Sequence, residues 1–144
     1  MNVKALDEAV CDGIVRGLAV VGLAGIALIH VLDAPGQFQE TPYLGWMYVG
    51  LILGCIAIAV ALVRASDPRA WAAAAGLALS VMIGYTLSRT TGLPGMSGDI
   101  GNWVEQLGIA SLFVEGAVVA VSAFALRELV QQPQFRAVAA EVAR

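Results

Sequence analysis

The chain has 144 residues, of which 59% are hydrophobic and only 13% are charged, and its formal net charge is -3. Soluble globular domains carry about 25% charged residues, so this composition excludes an ordinary water-soluble domain and also a disordered chain. The net negative charge offers no basic face to nucleic acid, and two cysteines are too few for a disulfide scaffold. The class that remains is an integral membrane protein.

Four apolar segments are long enough to cross a bilayer, which takes roughly 20 helical residues for about 30 Å of hydrocarbon. They run over residues 13–32, 44–63, 70–90 and 104–126. The alternation of apolar and polar residues that is typical of membrane β-barrels is absent. The sequence therefore predicts an all-α fold, an integral membrane four-helix bundle that forms a single domain.

The distribution of basic residues indicates how the bundle is oriented, because cytoplasmic loops carry an excess of lysine and arginine. Only Arg89 lies at one end of the four segments. All the others lie at the opposite end or in the termini: Lys4, Arg16, Arg64, Arg69, Arg127, Arg136 and Arg144. This predicts cytoplasmic N- and C-termini in a bacterial cytoplasmic membrane, with the first and third loops facing outward. Acidic residues precede the first segment, so we expect a retained span rather than a signal peptide.

The connection between the second and third segments is a tight turn. Asp67 is placed to cap the third helix, with Pro68 at its first helical position.

After the fourth segment, residues 127–144 fit either a short interfacial helix or a loosely ordered tail.

Small residues recur at every fourth position of the third segment and, over shorter lengths, in the first two. Such spacing lets membrane helices approach closely. We expect it to serve packing within the bundle; contact between copies in a homo-oligomer, or with a membrane partner protein, is the alternative. The residues are Ala72, Gly76, Ser80, Gly84 and Ser88, then Gly13 and Gly17, and Gly50 and Gly54.

Aromatic residues lie near the ends of the predicted spans. Trp46 and Trp103 lie near the outer boundary, with Tyr43 and Tyr48 close to the former, and Trp71 lies near the inner boundary. Tryptophan and tyrosine are typical of membrane interfaces. We interpret these five as interfacial anchors without a chemical role.

Glu115 is the most informative single residue, because it lies near the predicted bilayer midplane. A carboxylate there is costly unless it is neutral, paired or facing water. Helical spacing places it on one face with Ser111 and Ser122. It is either a structural group hydrogen-bonded to a neighbour such as Tyr85 or Ser80, or a functional group that binds a cation, a proton or a ligand. We favour the second interpretation.

His30 and Asp33 are one helical turn apart at the outer end of the first span, a spacing that suits a metal ion or a proton relay. Two ligands are too few, so other helices have to contribute. We predict a transition-metal site whose ligands are His30, Glu40, Glu105 and Glu115. By helix rise His30 and Glu115 differ in depth by roughly 12 Å, so this site requires a tilted or kinked helix.

Arg89 ends the third span and is the one fixed cation on the outer side. It can pair with an acidic residue (Asp33, Glu40, Glu105 or Glu115) or recognise an anionic ligand group. The residues predicted to bind a ligand or a proton are Glu115, Arg89, Tyr85 and Asp33.

A distinctive pattern of residues runs from the end of the first span into the fourth. It consists of residues 30–45 (HVLDAPGQFQETPYLG), residues 84–95 (GYTLSRTTGLPG), and then Trp103, Glu105, Gly108, Ser111 and Glu115. The pattern resembles a group of small four-span bacterial membrane proteins of unassigned function. The resemblance implies a four-helix membrane fold and no particular substrate.

Three functions are consistent with this sequence. The first is an outward-facing polar and acidic site that binds a cation, most simply a transition metal. The second is a proton-coupled small-molecule transporter that works as a dimer, with Glu115 exchanging the proton. The third is a non-catalytic membrane partner subunit. Paired carboxylates also permit a membrane enzyme, but nothing in the sequence selects an enzyme.

Overall fold

The computed structural model of the protein describes residues 3–142, and their side chains except at residues 4, 5 and 132–142. The elements are α1 (Val3–Glu40), α2 (Pro42–Arg64), α3 (Pro68–Thr90) and α4 (Gln106–Val142). Each helix contains a stretch long and apolar enough to cross a membrane. The prediction of an all-helical architecture built from four helices, each long and apolar enough to span a membrane, is confirmed.

The first and the last helix, α1 and α4, are longer than the predicted spans. α1 has 38 residues and α4 has 37, which at 1.5 Å per residue is roughly 55 Å each. α1 runs through Pro35, whose ring removes one backbone hydrogen bond. The described part of the tail, residues 127–142, continues α4 rather than forming a separate interfacial helix or a loose segment. The last predicted cytoplasmic arginine, Arg144, lies outside the described residues.

Local sequence explains the two tight connections. Thr41 alone separates α1 from α2, and it has an extended φ of -145° because a residue that precedes proline disfavours the helical region. Asp67 caps α3 as predicted: its carboxylate accepts a hydrogen bond of 2.8 Å from the Arg69 amide, and Pro68 occupies the first helical position. Both connections force antiparallel helix hairpins.

The helices pack in the order in which they occur along the chain. α1 packs against α2 and α4, and α3 packs against α4 and, less extensively, against α2. α1 and α4 approach closely because Gly22 and Gly25 of α1 lie against Val118 and Val114 of α4. The buried apolar cluster extends from the middle of the bundle towards the α2–α3 turn. The opposite end, which carries Thr41 and the α3–α4 loop, is called the loop end below.

Trp71 belongs to this core rather than to an interfacial belt. Its side chain is 0% exposed, and its indole N–H donates to the Ser66 hydroxyl at 3.1 Å. Because that hydrogen bond satisfies the one polar atom of the ring, the indole packs fully inside. Trp46 and Trp103 are exposed, as expected for interfacial residues.

Most of the small residues of α3 do not mediate the packing expected of them inside the bundle, although Ser88 at the end of the stripe is buried. α3 contributes Trp71, Ala74 and Ala78 to the core, whereas a Cβ added at Gly76 or Gly84 would meet no atom within 4 Å. The face from Ala72 to Gly84 is therefore open within one copy of the chain. Association with a second copy or a partner protein stays a prediction.

We expect Trp71→Ala to lower the free energy of unfolding by about 3 kcal/mol, because truncating a buried tryptophan leaves a cavity and removes its contacts. Trp46→Ala is the matched control, since that side chain is 69% exposed, and it should change stability by less than about 1 kcal/mol. Equilibrium unfolding in detergent micelles measures both. Equal effects of the two substitutions would contradict the buried placement of Trp71.

Candidate functional site

A cavity of ≈ 790 Å³ opens at the loop end, lined by all four helices and by the α3–α4 loop. Its size falls within the range of about 300–1,000 Å³ typical of small-molecule sites. The α2 wall presents three apolar side chains and two tyrosines, and the α3 wall is apolar only at Leu77 and Val81. The ionisable side chains that line it, apart from three tyrosines, are His30, Asp33, Glu40, Arg89, Asp99 and Glu105.

The α3–α4 loop is folded back over the end of α3. Residues 93–96 form a β-turn, with Pro94 at the second position and Gly95 at the third, where a type II turn requires the positive φ of +75°. The amide of Gly101 then donates to the Arg89 carbonyl at 2.9 Å. These contacts hold the acidic residues of the loop beside the Arg89 side chain.

Arg89 is the centre of this arrangement. Its side chain is 6% exposed; Nη1 lies 2.9 Å from an oxygen of Asp99, and Nη2 donates to Glu105 at 2.9 Å. The guanidinium carbon lies 4.8 Å from the centre of the Tyr85 ring, which is cation–π distance. Glu105 also caps α4 by accepting a hydrogen bond from the Gly108 amide. Two carboxylates therefore neutralise the guanidinium, which leaves no net positive charge for an anionic ligand.

His30 and Asp33 lie on the α1 wall, and α2 supports them both. His30 Nδ1 lies 2.8 Å from the Ile26 carbonyl oxygen, so this nitrogen is the donor and Nε2 remains available to the cavity. The ring packs edge to face on Tyr48, with centroids 4.7 Å apart. Asp33 accepts hydrogen bonds from the Tyr48 hydroxyl at 3.0 Å and from Gln37 at 3.3 Å. His30 and Asp33 thus share one wall, as their spacing predicts.

Two carboxylates of the cavity have no basic partner among the described side chains. The ion pairs there join Arg16 to Asp12 and Arg89 to Asp99 and Glu105. Asp33 receives only neutral hydrogen-bond donors, and Glu40 is exposed at the mouth. The cavity consequently has a negative electrostatic potential.

Glu115 lies beside the cavity rather than in its wall. It is 0% exposed, and one carboxyl oxygen accepts a hydrogen bond from Ser111 while the other has no partner. Tyr85 and Ser80, the partners considered from sequence, bond elsewhere: Ser80 donates to the Leu77 carbonyl, and the Tyr85 hydroxyl lies 3.5 Å from the Trp103 carbonyl oxygen. Ser111 does line the cavity, so it is the one hydrogen-bonded link between the cavity and Glu115 that the described residues provide.

The four predicted metal ligands are not brought together. His30, Glu40 and Glu105 line the cavity, whereas Glu115 does not. Within the described part of the chain, no group of three His, Cys, Asp or Glu side chains is close enough to hold a metal ion. Metal binding stays a prediction that this geometry does not favour.

Sequence reasoning missed Tyr48, Gln37 and Asp99 as members of the site. Tyr48 was detectable, because Thr41 alone joins α1 to α2 and residues equally far from it face each other across the hairpin. Asp33 is eight residues before Thr41 and Tyr48 is seven after it. Asp99 gave no such signal, since its position depends on the fold of the loop.

Comparisons with known proteins found no match: no family model fits the chain, and neither a curated protein nor a solved structure is significantly similar to it. The resemblance to small four-span bacterial membrane proteins stays a prediction. The chemistry of the cavity is therefore the basis for inferring function.

Gly108 is a position of the site that has no room for a larger side chain. A Cβ there would collide with the Tyr85 ring and lie 2.9 Å from the Glu105 carboxylate, so Gly108→Ala should destabilise the protein by about 1–3 kcal/mol through overpacking. Gly84→Ala is the matched control on α3, where a Cβ meets open space, and it should stay within about 1 kcal/mol of the wild type. Equilibrium unfolding in micelles compares the two variants. A harmless Gly108→Ala would contradict the contact between Tyr85 and α4.

Proposed function

We propose that this protein resides in a bacterial cytoplasmic membrane and binds an organic cation in its outward-facing cavity. The observation that carries the proposal is the charge balance of the lining. Four carboxylates face the cavity, and its only arginine is already paired with two of them. Asp33 and Glu40 are left to attract a positively charged ligand.

The rest of the lining favours an ammonium compound over a bare metal ion. Tyr43 and Tyr48 line the cavity, and tyrosine rings attract cations through their faces, whereas the Tyr85 ring already covers the Arg89 guanidinium. Apolar side chains such as Leu51 and Val81 suit the organic body of such a ligand. A metal ion would instead need three or more close ligands, which the described side chains do not offer.

The distribution of charge supports the outward orientation of the cavity. Among the described side chains, Arg89 is the only arginine or lysine at the loop end, and it is neutralised. Arg64 and Arg69 flank the α2–α3 turn at the opposite end, and basic residues favour the cytoplasmic side. This arrangement supports an outward-facing acidic mouth in the proposal.

Proton-coupled transport of the same ligand is a second candidate, and one contact favours it. Ser111 joins the cavity lining to the buried Glu115 through a hydrogen bond. Ionisable groups at this depth in a membrane are commonly part of proton or ion pathways. In this version a proton on Glu115 exchanges against the cation through Ser111.

Tetramethylammonium is the simplest probe of the proposed site. Asp33→Asn and Glu40→Gln should each weaken its binding about fivefold to thirtyfold, because a unit charge about 4 Å away contributes about 1–2 kcal/mol in a partly hydrated site. Equilibrium dialysis of the radiolabelled cation against protein in nanodiscs measures the affinity. Glu8→Gln, an exposed carboxylate at the other end of α1, removes the same charge and should have no effect.

Two outcomes would contradict the proposal. One is binding no greater than that of empty nanodiscs. The other is displacement of the cation by a transition-metal ion whose own binding is abolished by His30→Ala, which would favour the metal site predicted from the sequence.

A further inference from the structure

The part of the cavity that lies between α2 and α3 is called the wedge below. Its lining reaches from Arg89 down to Leu77 on α3, which is twelve residues or about 18 Å of helix. Leu77 closes the bottom, because its side chain lies against Gly54 of α2, where an added Cβ would come within 2.8 Å of it. Above that contact the cavity separates the two helices.

The wedge opens sideways onto the perimeter of the bundle. The helices contact one another in chain order around a ring, so neither α1 nor α4, in the part of the chain that the structure describes, covers the gap between α2 and α3. Two lining residues at the gap, Met47 and Ser80, are exposed, and Met47 is 63% exposed. Both lie inside stretches apolar enough to span a membrane. In a bilayer this opening therefore faces hydrocarbon.

Polarity changes along the wedge. Its upper half holds Asp33 and Glu40 together with the tyrosines, and His30 lies one helical turn below Asp33. Below His30 the α2 and α3 walls are formed by Leu51, Leu77 and Val81, and the Ser80 hydroxyl there already donates to a backbone carbonyl. A compact hydrophilic cation would leave this apolar deep half without a charged partner.

From this geometry we propose that the natural ligand is a single-chain amphiphile with a cationic ammonium headgroup, which enters from the outer leaflet between α2 and α3. The headgroup lies at Asp33 and Glu40, and the hydrocarbon chain extends along the apolar deep half to Leu77. This inference rests on the proposed cation site and adds the class of ligand and its route of entry. A chain that stays in apolar surroundings moves from lipid to protein at little cost, while the charged head exchanges one polar region for another.

Photolabelling with a dodecyltrimethylammonium that carries a diazirine at the end of its chain tests the inference. In nanodiscs, adducts should map to the deep half, around Leu51, Leu77 and Val81, and excess tetramethylammonium should reduce them at least fivefold. Ser80→Trp places an indole in the deep half, and it should reduce labelling at least tenfold. Tetramethylammonium binding is measured on the same variant, and photolabelling should fall at least fivefold more than that binding does.

Leu79→Trp is the matched control: it adds the same ring one residue away, at an exposed position that does not line the cavity. Adducts that are equal in Ser80→Trp and Leu79→Trp, or that map only to loop-end residues, would overturn the amphiphile while the cation site stands. Failure of tetramethylammonium itself to bind would overturn both proposals.

Discussion

The loop end depends on the buried guanidinium of Arg89. An arginine that is 6% exposed near the end of a membrane helix is stable only if its charge is compensated on the spot. Asp99 from the loop and Glu105 from the start of α4 provide that compensation, and the Tyr85 ring covers the guanidinium. The ion pairs therefore join α3, the loop and α4, and they hold the mouth of the cavity in shape. They also neutralise the charge of Arg89.

Much of the fold could be predicted from the chain because the bilayer imposes simple rules. Segment length and apolar composition located four helices, and Asp67–Pro68 marked the start of α3. Helix ends were less accurate, since α1 continues through Pro35 to Glu40 and α4 to Val142. The prediction that Trp71 is an interfacial anchor was wrong for a specific reason. Its position in the sequence alone suggests a membrane interface, and the hydrogen bond to the Ser66 hydroxyl is what makes full burial of the indole possible.

Contacts within the site could be predicted from the sequence where the residues share a helix. They were harder to predict where the residues lie on different elements. His30 and Asp33 share a wall because three residues make nearly one turn, and Arg89 pairs with Glu105 as one of its foreseen partners. Asp99 depends on the turn at Pro94–Gly95, whose direction no helical period encodes. Glu115 was correctly placed inside the bundle, yet its distance from the cavity depends on how α4 rotates against its neighbours.

Locating a bound cation shows whether the cavity at the loop end is its binding site. A quaternary ammonium that carries a nitroxide broadens NMR signals of nearby nuclei. With isotopically labelled protein in nanodiscs, the account predicts selective broadening of the ring signals of Tyr43, Tyr48 and Tyr85 and an unaffected Trp71, which is buried outside the cavity lining. Uniform broadening, or broadening centred on the α2–α3 turn, would contradict it.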